Sequence, residues 1–287
     1  MEVRVDRVKM MYRDMTKEHF LAALDALKAM PVELKGKAKA TFSKKEYVTQ
    51  GAIHLGEGAT LHISTGMNRK KYYLTESFNP SKMGVQARKL FNDLQLLLIE
   101  PYKGYEDLYA EGFLTYLEIA VDVPNEVHGN LIFVDDRSHG VNDKLLGKGS
   151  LYIGSASSSR SWIIYDKAAQ LAATSGIKLD YPLLRIEARL HPKDMHADEV
   201  ASHASPFPHL FISRREDLAS ISGLGAGWEE FWERAVLGDE LPHAVYRELS
   251  AAKRKSVLKV LRENPAPFWK TAQIWQDAIK ASAILKP

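Results

Sequence analysis

Between Leu117 and Asp122 the chain reads Leu-Glu-Ile-Ala-Val-Asp, an alternation that suits a β-strand and no helical period. It places Glu118, Ala120 and Asp122 on one face and Leu117, Ile119 and Val121 on the other. Two carboxylates leaving an apolar strand in the same direction are costly unless they are paired, bound to a cation or wet. The spacing fits a solvated face as well as a site.

Similar segments recur through the first two thirds of the chain. Val3 to Tyr12, Phe113 to Val123, Leu131 to Val134 and Leu183 to Leu190 read as strands. Lys35 to Leu74 reads as short strands broken by Gly51, Gly56, Gly58 and Gly66. Ser150 to Ser155 and Trp162 to Tyr165 flank a serine-rich turn, and Tyr165 to Ala173 has helical character ending before Gly176. Thr16 can cap a helix running to about Met30. Ser81 can cap another, with Leu90, Phe91, Leu94, Leu97 and Leu98 on one side and its end at Glu100-Pro101. Beyond Ser202 the pattern is helical only, with helices expected at Trp228 to Leu237, His243 to Glu263 and Phe268 to Ile284. The glycine-rich Ser220 to Gly227 reads as a linker. The expected class is α+β: a mixed core over residues 1–219, then a small helical C-terminal module over 228–287.

Composition narrows the function. There is no cysteine among 287 residues, which excludes disulfides and thiolate metal sites and suits a reducing cytoplasm. No apolar run approaches a membrane span, and Met1 to Arg13 is too charged for a signal peptide, so a cytoplasmic protein without a membrane partner is expected. The net charge of +3 permits a polyanionic partner without requiring one. Cations cluster at Asn68 to Lys71, beside Tyr72 and Tyr73, and again at Lys253 to Lys255. These clusters fit a phosphate backbone with stacked bases, and equally a solvated face. The ten histidines form no ligand-like spacing, and no glycine-rich stretch ends in the Lys-Ser/Thr of a phosphate loop.

Two further stretches carry polar groups on apolar strands. In Leu184 to Leu190, Arg185, Glu187 and Arg189 share a face, which fits a salt-bridge ladder or a metal ligand between phosphate-binding cations. In Trp162 to Lys167, Tyr165 lies where strand gives way to helix and is followed directly by Asp166 and Lys167. A lone tyrosine is by itself more often a packing residue.

Taken in order, these stretches resemble the Rep trans family of rolling-circle replication initiators, with relatives among filamentous-phage initiation factors and conjugative relaxases. Leu114-Thr115-Tyr116-Leu117-Glu118-Ile119-Ala120-Val121-Asp122 resembles the family's Phe-Thr-Arg-Leu-Asp-Leu-Ala-Phe-Asp strand. Tyr152-Ile153-Gly154, Ile164-Tyr165-Asp166-Lys167 and Arg185-Ile186-Glu187 resemble its following motifs, and Phe78-Asn79-Pro80-Ser81-Lys82 an upstream one. The resemblance spans Phe78 to Leu190 and leaves out the N-terminal segment and the helical tail.

The resemblance implies a mostly antiparallel sheet with flanking helices, an HUH-endonuclease-like palm. It implies Tyr165 as nucleophile and a divalent metal, Mg²⁺ or Mn²⁺, on Glu118, Glu187 and Asp122. Lys167 would then be a cation near the phenol or the phosphate, and Arg185 a clamp on a non-bridging oxygen. The implied substrate is a replication origin, single-stranded or extruded as a hairpin. A host helicase and a second copy of the chain, supplying a second tyrosine for rejoining, are the implied partners. The chain departs from the pattern in three places. Glu118 stands where Asp is usual, Ile163 where an arginine often precedes the Ile-Tyr pair, and Arg189 where a second Glu can follow.

Overall fold

The computed structural model describes residues 1–29, 47–56, 58–68, 71–99, 112–137, 144–146, 150–155 and 158–282. The chain divides into two compact units. One holds 4–119, 191–203 and 278–287; the other holds 1–3, 120–190 and 204–277.

In the first unit the strands β1 (Glu2–Met15), β2 (Tyr47–Gly56), β3 (Ala59–Asn68), β4 (Lys71–Phe78) and the start of β5 (Phe113–Pro124) lie in the order β2-β3-β4-β1-β5. The pairs β2–β3, β3–β4 and β4–β1 are antiparallel. Gly51 and Gly66 sit inside β2 and β3 and pair normally, contrary to the expected breaks. The real turn is at Gly56 and Gly58, whose φ of +86° and +79° glycine adopts without a Cβ penalty. Helix α1 (Lys17–Ala29) starts as expected, with Thr16 Oγ1 accepting the His19 amide at 3.2 Å. Helix α2 (Val85–Ile99) starts later than expected. Ser81 lies instead in a 3₁₀ turn, Pro80–Lys82, capped by the Asn79 side chain. Phe91 of α2 meets Phe78 of β4 at 4.8 Å, and Phe20 of α1 meets Tyr72 at 4.6 Å, so each helix pins its apolar side to the sheet.

In the second unit the remainder of β5 is followed across the sheet by β10 (Leu183–Leu190), β9 (Arg160–Asp166), β8 (Ser150–Ile153) and β7 (Lys144–Leu146). Helix α3 (Lys167–Ser175) follows β9 directly, with Asp166 Oδ1 accepting the Ala169 amide at 2.9 Å as its cap. Tyr165 is therefore the penultimate strand residue and not part of the helix.

The region after Ser202 is not purely helical. Strand β12 (Leu210–Arg214) pairs antiparallel with β6 (Leu131–Asp135), while β11 (Met195–His196), earlier in the chain and in the first unit, pairs with the start of β5. Leu210 and Ile212 of β12 are buried on either side of half-buried Phe211, in a run too short for an amphipathic helix. Helices α4 (Arg215–Ala219), α5 (Ala226–Phe231) with a π-helical turn over Trp232–Leu237, α6 (Pro242–Glu248), α7 (Ala251–Glu263) and α8 (Thr271–Ala281) follow. Ile132 and Val134 of β6 share one buried cluster with Trp228, Phe231, Val245 and Val257 of these helices. The helical segment is thus built onto β6 and β12 within one unit, and residues 220–227 run between packed elements of that unit. Trp269 and Trp275 are core residues, stacked around Phe207 at 5.7 and 6.4 Å.

Candidate active site

The antiparallel register of β9 and β10 sets Tyr165 opposite Arg185 and Ile163 opposite Glu187. Since alternate residues share a face, Tyr165, Ile163, Arg185 and Glu187 all rise from the same side. All four are buried, the phenol of Tyr165 least so at 9% exposure.

The Tyr165 hydroxyl donates to Glu187 Oε1 at 2.7 Å, and Arg189 Nη2 donates to Glu187 Oε2 at 3.0 Å. Burial, then the charge and hydrogen bond of Glu187, push the Tyr165 phenol well above the ordinary tyrosine value; Arg185 opposes them in part. Ile163, standing where an arginine often precedes the tyrosine pair, puts an apolar side chain directly across from Glu187.

Arg185 is held from the other side. Its Nε and Nη2 donate to the two oxygens of Asp122 at 2.6 and 2.7 Å, a bidentate pair among buried residues. The expected metal ligand Asp122 thus spends both oxygens on the guanidinium. Lys167, the first residue of α3, donates to Gln170 Oε1 at 2.7 Å along its own helix.

In the first unit, Glu118 is buried and accepts a hydrogen bond from the Tyr116 hydroxyl at 2.5 Å. Asp6 on β1, the strand next to β5, offers a carboxylate oxygen within 4.8 Å of one of Glu118. Two carboxylates at that separation form an oxygen donor set suited to a hard divalent cation, which gains ligands where the bare pair would repel. Ser81 Oγ donates to Asp6 at 3.1 Å and supports it. Asp6 was missed by the motif reading because it lies in a segment the resemblance does not cover. Its signal was only a charge on the face of a strand.

A further polar constellation centres on Asp135, at the end of β6. It accepts from Arg137 Nε at 2.7 Å, Trp162 Nε1 at 2.6 Å and Arg160 Nε at 3.3 Å while fully buried. Burial alone would raise its carboxyl. The hydrogen bond from Arg137 and the charges of Arg160 and Arg137 outweigh it, holding the group near 2. Nothing in the sequence motifs pointed to it.

The basic run at Asn68 to Lys71 falls partly on Arg69 and Lys70, which lie outside the described residues. No described helix is long and apolar enough to cross a membrane.

No protein-family model matches the chain, and no curated protein does either. Among solved structures, the chain is similar to the rolling circle replication initiator protein from Geobacillus stearothermophilus. The identity is 15% and the TM-score 0.33, over 70% of this chain and 77% of that one. It is also similar to DynU16, from the dynemicin biosynthetic locus, at 12% identity and TM-score 0.21, over 66% of this chain and 90% of that one. Both likenesses are too distant to carry an argument about fold or activity.

Proposed function

We propose that this chain nicks one DNA strand with Tyr165 and later rejoins it, so as to start rolling-circle replication of a plasmid or phage. The observation that carries the reading is the buried phenol–carboxylate contact, Tyr165 Oη to Glu187 Oε1 at 2.7 Å, facing an arginine fixed by its own partner. A packing tyrosine needs no such constellation.

The step would run as follows. The Tyr165 oxygen attacks the phosphorus, its proton passes to Glu187, and the 3′-oxygen of the DNA leaves as the P–O bond breaks and takes a proton from solvent. The products are a 5′-phosphotyrosyl link and a 3′-hydroxyl that a polymerase can extend. Rejoining is the reverse attack by a 3′-hydroxyl, with Glu187 returning the proton. An unperturbed phenol is only about 0.1% ionised at pH 7, a cost of about 4 kcal/mol. The raised Tyr165 makes concerted proton removal by Glu187 more important than a standing phenolate. Arg185, held by Asp122, balances charge on the phosphate, and Lys167 lies at the entrance to α3 for a neighbouring phosphate.

A divalent cation, Mg²⁺ or Mn²⁺, would be held by Glu118, with Asp6 beside it in the same unit. When bound it would polarise the scissile phosphate, leaving Glu187 as the base for Tyr165. The substrate would be an origin presented single-stranded or as a hairpin, with a host helicase and a second copy of the chain as partners. A conjugative relaxase would use the same groups on a transfer origin. The raised phenol also fits a DNA-binding relative whose site no longer cuts.

The test is an incubation of purified protein with Mn²⁺ and single-stranded oligonucleotides tiling its own replicon, read on a denaturing gel. The expected result is a protein–DNA adduct that disappears in Tyr165→Phe and with chelator. Cleavage without adduct would replace this reading with a hydrolytic nuclease, and binding without either would favour the non-cutting relative.

A further inference from the structure

Helix α7 carries five cations and one exposed carboxylate, Glu263 at its last position, and the partners of the cations divide them sharply. Lys253 is bound to Glu230 at 2.5 Å, and Arg254 donates to the Leu249 carbonyl at 2.6 Å, so both are spent on the unit's own structure. Lys255, Lys259 and Arg262 are exposed. Among the described residues neither Lys255 nor Lys259 has a carboxylate partner, and Arg262 lies over the Phe211 ring, 5.8 Å from its centroid. The opposite side of the helix, Val257, Val260 and Leu261, is locked into the core.

The spacing of the three is four residues and then three, so they form one straight row on the solvent side. Along the axis they stand about 6 and about 4.5 Å apart. Duplex phosphates on one strand recur about every 3.4 Å of axis, so a rigid row of this length can meet two or three in succession. A row of isolated cations on a free helix would be a solvated face. Here the helix is anchored by its apolar side, which fixes the row in place.

We propose that this row grips the phosphate backbone of duplex DNA flanking the nick site. The proposal rests on the nicking reading for the identity of the polyanion. The choice of duplex over single strand comes from the helix itself: α7 contains no aromatic residue on which unpaired bases could stack. The contact would add affinity and register without reading sequence.

The test measures binding of the full chain to a labelled duplex and to a single strand of equal length, each over a series of salt concentrations. The variants are Lys255→Ala/Lys259→Ala/Arg262→Ala, the matching Lys→Arg pair, and Tyr165→Phe. The triple variant should bind duplex at least about tenfold more weakly. Its log-affinity against log-salt slope should fall by about 2 to 3, with single-strand binding unchanged. The Lys→Arg pair should match the parent, and Tyr165→Phe serves only to prevent cutting during the measurement. An unchanged duplex slope overturns the proposal, and so does an equal loss on single strand, which would make the row a single-strand track. Vesicles of anionic lipid serve as a third ligand, and loss confined to them would assign the row to a membrane surface and overturn it too. Because binding needs no cleavage, failure of Tyr165 to form an adduct leaves this test intact.

Discussion

Arg185 and Asp122 meet as a bidentate ion pair in the interior, at 2.6 and 2.7 Å, and the guanidinium so fixed stands opposite Tyr165 in the β9–β10 register. The pair links fold and chemistry: it satisfies two charges that strands β5 and β10 would otherwise strand in the core, and it sets the cation that faces the phenol. Its stabilising worth comes less from the attraction than from the cost of leaving either member alone.

Replacing Asp122 by Ala should therefore destabilise the fold by about 3–5 kcal/mol, by leaving Arg185 charged and buried. Joint replacement, Asp122→Leu with Arg185→Met, should recover most of that loss while abolishing adduct formation. Urea unfolding of the three proteins compares them, and a single variant as costly as the double would contradict the pairing.

The phenol should titrate late. With burial and Glu187 both holding the proton on Tyr165, its stabilising contribution is complete below the ordinary tyrosine value and is lost as pH climbs through the raised one. Glu187→Gln removes the opposing charge and should bring the titration down towards the ordinary range. Phenolate absorbance, taken as the difference between each protein and its Tyr165→Phe counterpart, reads this directly. No shift in Glu187→Gln would mean that burial alone controls the phenol.

Acid should weaken the second unit in two windows. His243 accepts the Asp135 amide at 3.1 Å through Nδ1 and is pushed down to about 4 by burial, so the unfolded chain takes a proton first, from about 6.5 downward. Stability should fall with pH across that span. Asp135 then contributes in the opposite charge sense. Its stabilisation, about 2 kcal/mol, is present above the unfolded value of 3.8 and lost as pH falls to about 2. Asp135→Asn should thus be most destabilising at neutral pH and nearly silent near pH 2, as urea midpoints at pH 7, 5, 3.5 and 2.5 would show.

Gly227 is a packing residue. A Cβ there would lie 2.7 Å from the Lys253 Cα, so α5 and α7 touch at backbone level. Gly227→Ala should cost about 1–3 kcal/mol, since helix backbone cannot yield as a side-chain tip can. Gly223→Ala, at a positive φ but with open space around it, tests strain separately. If Gly227→Ala melted with the parent, the close approach of α5 and α7 would be wrong.

How much was legible follows from the range of each interaction. Alternation along β1, β5 and β10 and the cap at Thr16 are local, and the sequence carried them to within a few residues. Composition likewise settled that no thiolate or disulfide takes part. The motif order singled out Tyr165, Arg185 and Glu187, and their shared face follows from strand parity alone. Which of them touch does not. Whether Glu187 meets the phenol or Asp122 the guanidinium depends on which strands are neighbours and in what register, and pairings across 22 and 63 residues leave no local trace. For the same reason the places of Asp6 beside Glu118 and of Asp135 among its arginines left no mark in the sequence. The glycine-rich 220–227 read as a linker because glycine serves flexibility and close packing equally well, and only the helix laid against Gly227 decides between them.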